Sequence, residues 1–215
     1  MQQGDAMNLM HQWALPVAAS LPVWVALSWG VLVSACVLRW APASVNARRL
    51  GLVVFLITAM PSLHVAGYLA LAFQTPSWVA VAWALWVWRD ALRGPHDAQA
   101  VTNPVSVVWP LLGVLLGWAL VLDTLNSWPA WFNPQLYAWG FEASALWVVL
   151  AVCAVLLAWA AMPCAATLTV VGVLAAFALT RWPTGNVWDA LLDPFVWIAL
   201  HVQLWRAMWR QRRVS

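Results

Sequence analysis

Charged residues are scarce in this chain, and lysine is missing altogether. Only 8% of the 215 residues are charged, and all ten basic residues are arginines. In soluble domains about a quarter of the residues are charged. Hydrophobic residues make up 65% of the chain, which is more than a soluble protein of this length can bury in one core. The composition therefore excludes an ordinary soluble domain and predicts an all-α polytopic membrane protein.

Cysteine is also rare, and the motifs of common catalytic sites are absent. Cys36, Cys153 and Cys164 show no metal-ligand spacing and are odd in number, so neither a metal site nor a disulfide framework is predicted. We interpret them as small buried hydrophobic residues. The chain has no glycine-rich phosphate loop, nucleophile elbow or HExxH motif. From these absences no resident cofactor is predicted.

The apolar runs predict a bundle of about seven transmembrane helices in a single domain, 1–215. A helix needs roughly 20 apolar residues to cross a bilayer core of about 30 Å. The run 77–88 is shorter than this, and it is taken as a span because otherwise the later arginines would change sides. The predicted spans are 14–38, 50–73, 77–88, 104–122, 143–161, 165–180 and 194–209.

The arginines predict how the helices are threaded. Nine of the ten fall on one side of this arrangement, and only Arg181 falls on the other. Because positive charge accumulates in short cytoplasmic loops, we expect the N-terminus outside, the C-terminus in the cytoplasm, and a multi-pass location in the cell inner membrane. The net charge of +3 is thus explained by orientation, and the expected partners are the lipid bilayer and other membrane proteins, with no nucleic acid.

Proline and glycine positions predict helix starts and one close helix contact. Thr75 and Asp193 each stand just before a proline, the arrangement of an N-cap followed by the first helical residue. Asn103-Pro104 repeats the signal. Gly113 and Gly117 form a GxxxG spacing, which predicts close packing within the bundle ahead of dimerisation.

The longest polar interruption, 123–142, is predicted to be an aromatic belt on the outer surface of the membrane. With 181–193 it places Asp123, Glu142, Asp189 and Arg181 on one face as candidate catalytic or binding residues. Carboxylates beside an arginine and tryptophans could bind a headgroup or supply a general base. The alternative interpretation is structural, because acids at helix starts, including Asp193, are stabilised by the helix dipole by about 0.3–1 kcal/mol.

His64 and His201 are predicted at matching depths within two different spans, about 10–15 Å below the outer surface. They are candidate axial ligands of a b-type haem, or members of a proton relay. Alternatively His201 only stacks in a stripe with Trp197 and Trp205, four residues to either side.

Pro61-Ser62-Leu63-His64 is similar to the serine–histidine motif of membrane phosphatidic acid phosphatases. That resemblance implies a lysine–arginine phosphate clamp, and a chain without lysine cannot provide it. The same absence excludes a covalent retinal Schiff base. We therefore interpret the motif as a proline kink in which Ser62 satisfies freed backbone groups.

Three functional hypotheses remain from the sequence. The first is a non-enzymatic accessory or assembly subunit, or a small permease-like bundle, with an acidic, tryptophan-rich periplasmic rim. The second is a membrane enzyme acting on a lipid-linked or amphipathic substrate at that rim. The third is a b-type haem membrane protein.

Overall fold

The computed structural model describes residues 16–40, 45–93, 108–129, 131–159 and 165–212. Of these residues 83% are helical and none is in a strand. The helices are α1 (Leu21–Trp40), α2 (Val45–Ala59), α3 (Val65–Phe73), α4 (Trp78–Arg93), α5 (Val108–Thr124), α6 (Leu136–Trp139), α7 (Ala143–Trp159), α8 (Ala165–Thr180), α9 (Val187–Leu191) and α10 (Pro194–Arg212).

Two hydrophobic clusters form the core, and α4 lies between them. The first cluster centres on α1, which packs against α2, α3 and α4 and buries Trp29 and Ala35. The second joins α7, α8 and α9 around Leu174 and Phe177. Because α4 contacts both α1 and α8, it connects the two halves of the bundle.

The GxxxG spacing packs inside the bundle, as predicted. A Cβ atom at Gly113 would clash with the side chain of Leu200, and one at Gly117 would clash with the indole of Trp197. The Trp197 Nε1 group also donates to the carbonyl oxygen of Val114, at 3.4 Å. The two glycines thus let α10 lie directly against α5.

The predicted span 50–73 is interrupted near its middle, at the position where the sequence predicts a proline kink, and the interruption is a complete break in the helix. α2 ends at Ala59, a 3₁₀ turn covers Pro61–Leu63, and α3 begins at Val65. His64 adopts a left-handed conformation with φ 53°. Backbone bonds hold the turn, from Leu63 N to Met60 O and from His64 N to Pro61 O. The predicted role of Ser62 in bonding to freed backbone groups is therefore not observed in the turn.

The helix starts differ from prediction at one position. Ser77, and not Thr75, caps α4, since its hydroxyl accepts a hydrogen bond from Ala80 N at 3.1 Å. The predicted cap at Asp193 is confirmed: its carboxylate accepts from Val196 N at 2.8 Å, and Pro194 is the first residue of α10. The predicted start at Asn103-Pro104 lies outside the described residues.

One described helical stretch, Ala18–Trp40, is long and apolar enough to cross a membrane, with 23 residues. Shorter apolar helices cover Val108–Thr124, Ala143–Trp159 and Ala166–Thr180. The number of seven spans and their orientation stay predictions.

Candidate functional site at the polar end of the bundle

Four chain segments meet at one end of the bundle, which we call the polar end: 17–20, 74–77, 123–142 and 181–193. Hydrogen bonds between distant residues join them. The Trp182 indole donates to the Ser20 hydroxyl at 2.8 Å, and the Asn186 amide donates to the Tyr137 carbonyl at 2.8 Å. Two of the four, 123–142 and 181–193, are the segments that the sequence predicts at the outer surface, and the fold places them together with 17–20 and 74–77.

Asp193 connects the beginnings of two helices. One carboxylate oxygen accepts from Ser77 N at 2.8 Å, just before α4, and the other accepts from Val196 N in the first turn of α10. The side chain is only 8% exposed. A buried carboxylate needs such partners, and the positive ends of two helix dipoles stabilise its charge further.

Tyr137 lies between two further acids of the polar end, Asp123 and Asp189. Its backbone N–H donates to Asp123 at 2.8 Å, and its hydroxyl donates to Asp189 at 2.9 Å. Thr184 donates to the same Asp189 oxygen at 2.6 Å. Burial first, and then the charge and hydrogen bond of Asp189, raise the pKa of Tyr137 to about 12. The phenol therefore stays protonated at neutral pH and acts as a donor.

A tight contact between 136–140 and 186–188 closes the polar end. Val187 N donates to the Gly140 carbonyl at 2.9 Å, and the Trp188 indole donates to the Leu136 carbonyl at 2.7 Å. A Cβ atom at Gly140 would clash with the Asn186 amide oxygen and the Trp188 ring. Sequence reasoning missed Gly140, whose only signal is an isolated glycine among aromatic residues.

The remaining two candidates, Glu142 and Arg181, lie apart from this network. Glu142 is exposed and accepts from the Ser144 hydroxyl at 2.9 Å. The Arg181 guanidinium lies 5.3 Å from the centre of the Phe177 ring. Within the described ranges the one ion pair is Arg89–Asp90, so Arg181 is not paired with the acids of the rim.

Two groups of tryptophans at the polar end differ in their exposure. Trp182 stacks on Trp24 and Trp78, with ring centroids 5.3 and 6.1 Å away, and is part of the interior packing. Trp131, by contrast, is 86% exposed and contacts Phe132, which also contacts Trp128. We call this second group, Trp128, Trp131 and Phe132, the aromatic patch; its open surface comes from Trp131 and Phe132, whereas Trp128 is half-buried.

The two histidines have separate surroundings. His201 Nδ1 lies 2.9 Å from the carbonyl oxygen of Trp197, and its ring packs edge-on against Trp197 and Trp118. The predicted contact with Trp197 is therefore present but is edge-on and not stacked, and the predicted stripe does not extend to Trp205, which stacks on Trp209. His64 is exposed at the break between α2 and α3. Haem ligation by this pair stays a prediction. Over the part of the chain that is described, no three metal-ligating side chains cluster.

Comparison with known proteins finds no matching family model, no matching curated protein and no matching solved structure.

Asp193 should be the costliest acid of the polar end to remove. We expect Asp193→Ala to lower the free energy of unfolding by about 1–4 kcal/mol, because it removes two helix-start contacts worth about 0.5–2 kcal/mol each. Glu142→Ala is the matched control and should stay within about 0.5 kcal/mol of wild type. Reversible unfolding in mixed detergent micelles measures both. Equal losses in the two variants would show that the double cap does not stabilise the fold.

Tyr137 should titrate well above an ordinary tyrosine. The protein has two tyrosines, so Tyr68→Phe leaves Tyr137 as the single source of tyrosinate absorbance. We expect a pKa near 12 for Tyr137 instead of the ordinary tyrosine value of 10.0. Because the folded pKa is raised, the hydrogen bond to Asp189 stabilises the fold below pH 10 and is lost as the pH rises through about 12. Adding Asp189→Asn should lower the midpoint only in part, since burial is the larger cause. A midpoint at 10 in the folded protein would contradict the contact.

Proposed function

We propose that this chain is a multi-pass protein of the cell inner membrane that acts without catalysis, as an accessory or assembly subunit or a small permease-like bundle, with the polar end facing the periplasm. The observation that carries the proposal is that the acids of the polar end form hydrogen bonds within the chain itself. Asp193, Asp189 and Asp123 accept hydrogen bonds from the chain's own backbone and hydroxyl groups. They hold the fold together, as the structural interpretation of these acids requires.

The distribution of apolar side chains supports the membrane location. The length and composition of α1 alone would also fit the core helix of a soluble protein, and α1 is partly buried. However, each described helix of nine residues or more exposes large apolar side chains, among them Leu56 on α2, Leu115 on α5, Val155 on α7 and Ile198 on α10. Apolar surface on every side of a bundle is stable when lipid covers it.

The geometry gives less support to an enzyme at the rim. Such an enzyme would place Arg181 beside the carboxylates to stabilise developing charge. Arg181 instead lies over Phe177, and Asp189 already accepts two hydrogen bonds through one oxygen. A non-catalytic role needs no such convergence.

The aromatic patch supports a role as a subunit. Phe132 contacts Trp128 edge-on and Trp131 at a tilt, while Trp131 stays almost fully exposed. Aromatic side chains are enriched at the centres of protein interfaces, where they often carry most of the binding energy. The patch is therefore the surface that we assign to a partner protein in the membrane.

The threading can be tested by cysteine labelling in intact cells. With the three native cysteines replaced by alanine, a membrane-impermeant maleimide should label Ser127→Cys at the polar end. It should label Asn46→Cys, at the opposite end, only after the membrane is opened. Both side chains are exposed, so burial does not explain a difference. The reverse pattern would overturn the proposed orientation.

The subunit role can be tested by the size of the native assembly in a mild detergent. We expect the double variant Trp131→Ala, Phe132→Ala to release the chain from a larger assembly, while its free energy of unfolding stays within about 0.5 kcal/mol of wild type. Trp159→Ala is the matched control, because Trp159 is also exposed, at 74%, but lies at the other end of α7. A wild-type chain that migrates alone, or an assembly that survives the double variant, would refute the role.

A further inference from the structure

A groove with a volume of about 440 Å³ runs along the surface between α4 and α8. From α4 its walls include Trp78, Trp86 and Arg89, and from α8 they include Thr169, Gly172 and Val173. Its volume lies within the range of about 300–1,000 Å³ found for sites that bind small molecules. None of its lining residues belongs to the candidate acids of the polar end.

The groove is cationic at one end, at Arg89, and apolar at the other, at Trp78. Trp182, just beyond the end of α8, stacks on Trp78 at the start of α4, so the two helices are antiparallel. Thr169 therefore lies at the same end of the groove as Arg89, away from the polar end of the bundle. The other lining residues are apolar. Trp78 closes the far end, and its ring is held by stacking on Trp24 and Trp182.

A glycine keeps the middle of the groove open. A Cβ atom added at Gly172 would meet no atom within 4 Å, so the space above it is free for an occupant. A long apolar chain could lie there along α4 between Trp78 and Arg89, which are eleven residue intervals apart, a distance of about 16 Å at 1.5 Å per residue.

Arg89 provides the charge at the cationic end of the groove, which is the end away from the polar end of the bundle. Its guanidinium lies 3.6 Å above the Trp86 ring. The Nε and Nη2 groups donate to Asp90, at 3.3 and 3.1 Å, which leaves the two N–H groups of Nη1 for another acceptor. The pair with Asp90 is exposed, and exposed pairs contribute only about 0–1 kcal/mol, so it competes weakly with a bound phosphate.

We infer that this groove binds one anionic phospholipid, with the headgroup phosphate at Arg89 and an acyl chain lying over Gly172 toward Trp78. The inference rests on the proposed membrane location, in which Arg89 lies on the cytoplasmic side, where basic pockets between helices bind anionic headgroups. Charge complementarity selects an anionic lipid, and the apolar walls select its acyl chain over a soluble phosphate compound.

The test is thermal stabilisation of the purified, delipidated protein by added lipid. Phosphatidylglycerol should raise the melting temperature in a saturable way, phosphatidylethanolamine should do so less, and glycerol phosphate without acyl chains should have no effect. In Gly172→Leu, which fills the groove, the half-saturating concentration of phosphatidylglycerol should rise about tenfold or more, a loss of about 1.4 kcal/mol. Arg89→Gln should remove the preference for the anionic lipid while leaving the response to acyl chains.

Gly67→Leu is the matched control, because Gly67 on α3 also has no atom within 4 Å of an added Cβ but does not line the groove. It should respond to phosphatidylglycerol like the wild type. Should Gly172→Leu fold poorly, Gly172→Ala gives a smaller shift of the same sign. Equal lipid responses in the Gly172 and Gly67 variants, or stabilisation by glycerol phosphate alone, would overturn the inference, as would no response in the wild type, the result expected if a partner helix occupies the groove.

Alkaline carbonate extraction of membranes separates this failure from failure of the proposed location. A chain that is released into the soluble fraction is not an integral membrane protein, and both proposals then fall. A chain that stays in the membrane but shows no preference for the anionic lipid overturns only the lipid site.

Discussion

The arrangement of the helices depends on one buried carboxylate. Asp193 accepts backbone hydrogen bonds from Ser77 and Val196, which belong to the beginnings of two helices more than a hundred residues apart in the chain. Without these donors a buried charge would be strongly unfavourable, so the two helix starts have to meet at this side chain. Since α4 also contacts α1 and α8, its position relates both halves of the core to α10.

The need of buried polar groups for hydrogen-bond partners also organises the rest of the polar end. Several polar groups that the fold buries there meet a partner from another segment: Tyr137 meets Asp189, and Asn186 meets the carbonyl of Tyr137. The buried indole N–H groups of Trp24, Trp78 and Trp128 are exceptions, because they have no hydrogen-bond partner among the described residues. Such a network is stabilising when its members are satisfied. Its consequence for function is that these groups are engaged in holding segments together, which leaves the aromatic patch and the groove beside Arg89 as the surfaces open to other molecules.

The two open surfaces lie at different places on the molecule, and both agree with the proposed membrane location. The aromatic patch lies in the belt at the polar end and suits another protein, whereas the groove suits a lipid because it is apolar along its length and cationic at one end. Apolar side chains exposed on the long helices between them are what a bilayer would cover. The molecule thus separates its contacts by chemistry, with polar groups turned inward at one end and apolar groups turned outward along the sides.

Part of the structure was readable from the sequence: the all-helical class follows from the composition, and the Asp193 cap before Pro194 and the GxxxG spacing of Gly113 and Gly117 are local patterns. The sequence also identified Asp123 and Asp189 as polar-end acids, but not that Tyr137 lies between them, because a side-chain contact across 52 residues leaves no local pattern. The use of Ser77 in place of Thr75, the isolation of Arg181 from the acids and the groove over Gly172 were likewise decided only in the tertiary structure. The physical reason is that propensity and capping act within one turn of helix, whereas the partner of a buried polar group and the space beside a glycine depend on which other helix packs there.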